Sequence, residues 1–184
     1  PDDVELGCSG TIMSHLDLGY SIGIIDLTRG ELGTRGSAEL RDKESENASS
    51  LMGINFRLNL GLKDGFFNND ENTQLKIISQ IRRLKPKIVI ANAKEDRHPD
   101  HGKASNLIKT CCFLSGLPKV ETKYNNIKQV PWRPNNLFYY TQFNNVEPDF
   151  LVDISNYMNK KLDVVKCYSS QFYSPKSTEP ETII

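Results

Sequence analysis

Lys87-Ile88-Val89-Ile90-Ala91-Asn92-Ala93, followed at once by Lys94-Glu95-Asp96-Arg97-His98-Pro99-Asp100-His101, is the stretch on which the fold turns. Its first half is a short apolar run rich in β-branched residues, the length of a buried strand. Its second half is polar and leads into a helical pattern over 101–116. Working outward, residues 71–84 form an amphipathic helix with Leu75, Ile78, Ile81 and Leu84 inward. Residues 20–27 (YSIGIIDL) and 54–60 read as two more strands. A helix over 4–18 is stopped by Gly19, and Ser37 caps another that ends near Gly53. That second helix is expected to turn Glu39, Arg41, Lys43, Glu44 and Glu46 to water. Downstream, a long polar connection passes Pro131 and Pro134. Strands follow over 137–143 and 150–152, and a last helix over 154–168.

Strands alternating with helices imply an α/β fold, a three-layer α/β/α sandwich with a mostly parallel, Rossmann-like sheet. No repeat or linker interrupts the pattern, so one domain is expected over 1–184. Ligands in such sheets gather where strand C-termini open into loops. The loops at 1–3, 28–36, 61–72 and 93–100 should therefore carry the chemistry.

Composition narrows the function. Among 184 residues, 23 Lys and Arg balance 23 Asp and Glu, which leaves no electrostatic footprint for nucleic acid or an anionic membrane. No apolar run approaches the ~20 residues of a membrane helix. Cys8, Cys111, Cys112 and Cys167 match neither a zinc knuckle nor a disulfide framework, and read as reduced thiols of a cytoplasmic protein. Histidine chemistry is confined to His15, His98 and His101. His15 falls within a helix, far from the strand ends, and reads as a surface or packing residue.

Two short motifs lie on the functional edge: Pro1-Asp2-Asp3 before the first helix, and Asp96-Arg97-His98-Pro99-Asp100-His101 opening a later one. Adjacent carboxylates at a helix N-terminus also serve as caps and favour the positive end of the dipole. A pair of loop histidines is often merely solvated. Together the motifs supply the parts of metal-assisted amide hydrolysis. A catalytic zinc takes imidazole and carboxylate ligands and keeps one position for water. A second carboxylate can act as base, and a second histidine can steady a developing oxyanion. The residues in hand give two of the three ligands. Asp26, at a strand end, suggests a rival dinucleotide-binding reading. That reading fails because Gly7-Cys8-Ser9-Gly10 lies inside a helical segment and is not a G-x-G-x-x-G turn.

Pro1-Asp2-Asp3 with His98-Pro99-Asp100-His101 resembles the LmbE-like, PIG-L-type metal-dependent N-deacetylases. Asp26–Gly36 and Glu95–Gly102 are similar to the subgroup of bacillithiol biosynthesis deacetylases, which act on N-acetylglucosaminyl malate. The resemblance implies Asp3 and His101 as metal ligands and a third, a histidine, just before Pro1, in a first strand that this sequence lacks. The chain's end likewise falls short of the family's usual length. The resemblance further implies Asp2 as general base, His98 as oxyanion stabiliser with Asp100 orienting and charging it, and Arg41 and Asp64 as substrate contacts. It implies Zn2+ as cofactor, with Fe2+ as the alternative, and a homo-oligomer such as a hexamer. Arg35 and Arg97 are expected, from placement alone, to hold an acidic aglycone such as malate. Deacetylases of chitooligosaccharides or GlcNAc-inositol conjugates are the nearest alternatives; a non-catalytic carbohydrate-binding module is the alternative of another class.

Overall fold

Helix ends in the computed structural model, which describes residues 1–172, follow the local capping chemistry. The Ser37 side chain accepts the Leu40 N–H at the start of α2 (Ala38–Met52), and Gly53 closes it in the left-handed conformation at φ 82°. Asp70 accepts the Thr73 N–H at the start of α3 (Glu71–Leu84). The remaining elements are α1 (Asp3–Asp17), β1 (Gly23–Thr28), β2 (Phe56–Leu62), β3 (Ile88–Ala91), α4 (Pro99–Leu114), β4 (Lys123–Tyr124), β5 (Ile127–Lys128), β6 (Asn136–Tyr139) and α5 (Met158–Lys166).

The chain divides into two compact units, Pro1–Asp64 with the chain from Glu147, and Gly65–Val146. In the first, β1 and β2 run parallel, with Gly23 opposite Phe56 and Ile25 opposite Leu58. Helix α2 provides the crossover. Ile12, Met13, Ile24, Ala48, Met52 and Val164 form its apolar core. Set into this core is a charged cluster. Arg57 of β2 donates to both oxygens of Asp26 on β1 at 2.6 and 2.8 Å, and to Glu5 Oε1 on α1 at 2.5 Å. The Tyr168 hydroxyl donates to the same Glu5 oxygen at 2.9 Å. Asp26 is thus the partner of an arginine inside the sheet, which gives it a structural task in place of a ribose-binding one.

In the second unit β3 and β6 are parallel, from Ile88 opposite Asn136 to Ala91 opposite Tyr139. Helices α3 and α4 pack through Ile77, Ile78, Ile81, Ala104, Leu107 and Cys111. Arg82 of α3 is buried and donates to the carbonyls of Ser115, Leu117 and Val120, which fixes the chain leaving α4.

Several expectations change. Arg41 and Glu44, expected on the wet side of α2, are buried. The polar connection contains a hairpin, β4–β5, turning at Asn125 and Asn126 with φ of 50° and 63°. Asparagine tolerates that left-handed backbone, which two-residue hairpin turns require. Residues 150–152 form no strand, and Leu151 is 84% exposed. The last helical segment is a single 3-10 turn, Ser155–Tyr157, followed by α5. Among the described residues no helix is long and apolar enough to cross a membrane.

Candidate active site

The first motif stands at the N-terminus of α1. Asp2 occupies the N-cap position in a left-handed backbone, φ 95° and ψ −25°, and its side chain makes no capping hydrogen bond. The capping explanation of this acid therefore fails. A non-glycine residue held in that region carries strain that a site must offset elsewhere. Burial pushes the Asp2 carboxyl up to about 7, and the neighbouring Asp3 adds to the rise, while Arg41 opposes it. Arg41 Nη1 lies 3.7 Å from Asp2 Oδ2, and Arg41 Nε lies 3.7 Å from Glu44 Oε2.

Arg41 is 5% exposed, and its Nε has no hydrogen-bond partner. The loop after β1 lies directly on this guanidinium. A Cβ on Gly30 (φ 67°) would fall 2.8 Å from Nη1, and one on Gly33 would fall 3.2 Å from Nη2. Those two glycines let the backbone approach where any side chain would push Arg41 off Asp2. Asp64 fastens the same loop. Its carboxylate accepts the Thr28 hydroxyl and the Leu32 N–H, and its own N–H donates to Glu31. Each Asp64 oxygen thus takes one hydrogen bond from this loop and braces it.

Arg35, expected to hold an acidic aglycone, is 8% exposed, and its Nη2 donates to the carbonyls of Gln171 and Phe172 at 2.6 and 2.7 Å. Through Nη2 it ties down the chain after α5, while its buried Nη1 makes no hydrogen bond among the described residues. Glu44, which the sequence reading leaves on the surface, accepts the Ser170 N–H and the hydroxyls of Ser169 and Ser170.

The second motif starts α4. His98 is its N-cap: Nδ1 accepts the Asp100 N–H at 3.2 Å. The Asp100 carboxylate does not touch the His98 ring. It accepts the Gly65 N–H at 2.7 Å and the Lys103 ammonium at 3.1 Å, and Lys103 also donates to the Gly65 carbonyl. Asp100 thus anchors the loop at Gly65, and it meets His98 through its backbone. His101 Nδ1 lies 3.2 Å from Asp96 Oδ1. Arg97 is exposed, its guanidinium 5.3 Å from the centre of the Phe143 ring.

Among the described residues no group of three or more His, Cys, Asp or Glu side chains is arranged to hold a metal ion. Asp96 opens the second motif, and the sequence reading gives it no role of its own. Of the remaining residues, His15 Nδ1 lies 2.8 Å from the Thr11 carbonyl, as a packing histidine would, and the four cysteines are free thiols.

The sequence pattern of the PIG-L family, described as GlcNAc-PI de-N-acetylase, matches residues 1–112. This span contains Asp2, Asp3, Arg41, Asp64, His98 and His101. The chain belongs to that family. The N-deacetylase is 28% identical over 187 residues to the diacetylchitobiose deacetylase of Thermococcus kodakarensis, covering 94% of this chain and 67% of that protein. Its fold superposes on a conserved protein from Thermus thermophilus with a TM-score of 0.86 and 42% identity, covering 94% of this chain and 76% of the other. It also superposes on N,N'-diacetylchitobiose deacetylase from Pyrococcus horikoshii, solved with its inhibitor MPG, with a TM-score of 0.83 and 25% identity, covering 95% and 68% of the two chains. The deacetylase thus has the α/β/α sandwich fold of its structural neighbours.

Proposed function

We propose that this N-deacetylase removes the acetyl group from an N-acetylglucosamine conjugate, with N-acetylglucosaminyl malate as the first substrate to test. The observation that carries the reading is Asp2: an acid at a helix N-cap that does not cap, strained, withdrawn from water and pushed up to about 7. A carboxyl in that range can accept and return a proton near neutral pH. The family match supports reading the two motifs as parts of one reaction.

By donor type these residues suit a divalent cation: His101, whose Nδ1 lies 3.2 Å from Asp96 Oδ1, offers an imidazole nitrogen, and Asp3 an anionic oxygen. Asp3 and His101 would hold the ion, zinc first and ferrous iron as the alternative. When bound, it would supply Lewis acidity toward water and the amide oxygen. Asp2 takes a proton from the water whose oxygen attacks the acetyl carbon. His98 donates a hydrogen bond to the acetyl oxygen as negative charge grows there. As the C–N bond breaks, Asp2 returns the proton to the sugar nitrogen, giving acetate and a free amine. Arg41 keeps the Asp2 carboxylate in place. Arg97, on the solvent side of its loop, is the residue to hold the malate carboxylates, since Arg35 is engaged within the protein.

The Thermococcus relative bears the name of a diacetylchitobiose deacetylase, so diacetylchitobiose is the competing substrate. Acetate release from N-acetylglucosaminyl malate, diacetylchitobiose and N-acetylglucosamine, with metal content measured on the same sample, tests the reading. Metal-loaded protein that frees no acetate from any of the three overturns it. A cytoplasmic homo-oligomer, hexameric as the resemblance implies, completes the proposal and is tested by light scattering of the purified protein.

A further inference from the structure

The guanidinium of Arg97 differs from every other in the chain. Arg29, Arg35, Arg57, Arg82, Arg83 and Arg133 all donate hydrogen bonds to acceptors within it. Arg41 stands 3.7 Å from two carboxylates. Arg97 is exposed and has neither a hydrogen bond nor an ion pair among the described residues. What it has is a ring: its guanidinium carbon lies over Phe143, 5.3 Å from the centroid. Attraction to an aromatic face needs no hydrogen-bond acceptor, so the N–H donors of Arg97 stay available to a ligand.

The sheet brings Phe143 to that place. Strands β3 and β6 run parallel, with Ala91 opposite Tyr139, so the loops that follow them leave from one edge. These loops are then tied at successive levels. The Tyr140 N–H donates to the Ala91 carbonyl at 3.0 Å, and the Lys94 ammonium lies 4.9 Å from the centre of the Tyr139 ring. The Asn144 side chain donates to the Glu95 carbonyl at 3.3 Å. The Thr141 hydroxyl donates to the Asn144 carbonyl at 2.9 Å, which closes the turn around Phe143. Phe143 remains 49% exposed, so apolar burial alone does not account for where it is held.

We propose that Phe143 is a positioning residue that holds the Arg97 guanidinium ready for a substrate carboxylate, and so sets the preference for an acidic conjugate over a neutral amino sugar. The inference rests on the reading of the chain as a deacetylase of such conjugates. A guanidinium binds a carboxylate through two parallel hydrogen bonds only when its plane is correctly set. An arginine loose in water loses side-chain freedom on binding, and one already resting on a ring has less to lose. A neutral sugar offers no carboxylate, so its binding is indifferent to the ring.

The test compares acetate release from N-acetylglucosaminyl malate and from N-acetylglucosamine. Phe143→Leu keeps an apolar side chain and removes the aromatic face. It should raise KM for the malate conjugate by about two- to five-fold, the worth of an exposed cation–π contact. Its kcat, and its KM for N-acetylglucosamine, should stay at the wild-type values. Phe143→Tyr restores the face and should restore KM, which a merely structural residue would not require. In an Arg97→Ala background Phe143→Leu should have no further effect. Equal changes for both substrates, no change for either, or an undiminished effect without Arg97 overturns this inference and leaves the deacetylase reading intact. Metal-loaded protein that frees acetate from neither substrate fails that reading instead. Malate itself then judges the inference, titrated into 15N-labelled protein while the Arg97 Nε–H resonance is followed. A shift that saturates at two- to five-fold higher malate in Phe143→Leu supports it; an Arg97 resonance that malate does not move overturns it.

Discussion

Replacing Arg57 with methionine removes the cation that two buried acids share. Glu5 is fully buried, Asp26 is 8% exposed, and the Arg57 side chain is 10% exposed. Three of its hydrogen bonds to these carboxylates are 2.8 Å or shorter. Breaking a buried ion pair from one side costs about 3–5 kcal/mol, because the stranded charge stays buried. Here two charges are stranded and only the Tyr168 hydroxyl remains on Glu5, so the upper part of that range applies. For a chain of this length each kcal/mol shifts Tm by roughly 2–4 °C. Arg57→Met should therefore melt about 10 °C or more below the parent, followed by circular dichroism on heating, with a matching fall in the urea midpoint. Adding Asp26→Asn should recover part of the loss, since it removes one stranded charge. A drop in Tm of under about 2 °C, or a double variant whose losses simply add, would refute the view that this cluster holds the first unit together.

Asp2→Asn, which keeps a residue tolerant of the left-handed backbone, should lower kcat by about a hundredfold or more with metal content unchanged; loss of metal instead would exchange the roles of Asp2 and Asp3. Arg35→Ala should destabilise the protein by about 1–3 kcal/mol, by freeing the carbonyls of Gln171 and Phe172, with KM unchanged for every substrate; a selective rise in KM for an anionic conjugate would restore it to the binding site. Burial pushes the Cys8 and Cys111 thiols up to about 12 and Cys112 to about 11, from an ordinary 9.0. The folded chain then holds these protons where the unfolded chain releases them. Their contribution to stability is complete below about pH 9 and is lost as pH rises toward 12, which urea titrations across that window will show. The same three thiols should resist a disulfide reagent at pH 8 until the protein is denatured. Arg97→Ala should raise KM for N-acetylglucosaminyl malate more than for N-acetylglucosamine, and equal changes would remove it from aglycone binding.

The features legible in the sequence are those that neighbouring residues decide. Ser37, Gly53 and Gly19 mark helix ends because caps and left-handed turns are settled within a few residues. The strand at Ile88–Ala91 and the helix after it follow from a run and a breaker in sequence. What is not legible is which charges are buried. Nothing near Arg41 or Glu44 shows that Ser169 and Ser170 will cover Glu44, or that glycines at 30 and 33 will lie on Arg41. Asp26 reads as a ligand-binding acid until Arg57, 31 residues on, is seen to take both its oxygens. Residues 150–152 have strand-like chemistry and no strand to pair with, since pairing is a property of the sheet and not of the segment. The site motifs are legible as a family pattern. The separate tasks of Asp64 and Asp100 are not, because each depends on a loop contributed from elsewhere in its unit.

Two observations in the first unit explain how a strained acid is held. Asp2 and Glu5 are three residues apart, so they share the first turn of α1, and Glu5 is fixed there by Arg57 and Tyr168. A helix whose first turn is clamped from below cannot fray, and fraying is the cheapest way for Asp2 to leave its left-handed backbone and regain water. On the other side, Arg41 offsets part of the repulsion between Asp2 and Asp3 while remaining 3.7 Å away. A closer, fully formed pair would hold the carboxyl ionised and leave it a poor proton donor to a leaving amine. On the proposed reading of Asp2 as base, the buried cluster fixes its position and the loose arginine leaves its carboxyl raised, so variants at Arg57 should lose stability before they lose proton transfer, and variants at Asp2 the reverse.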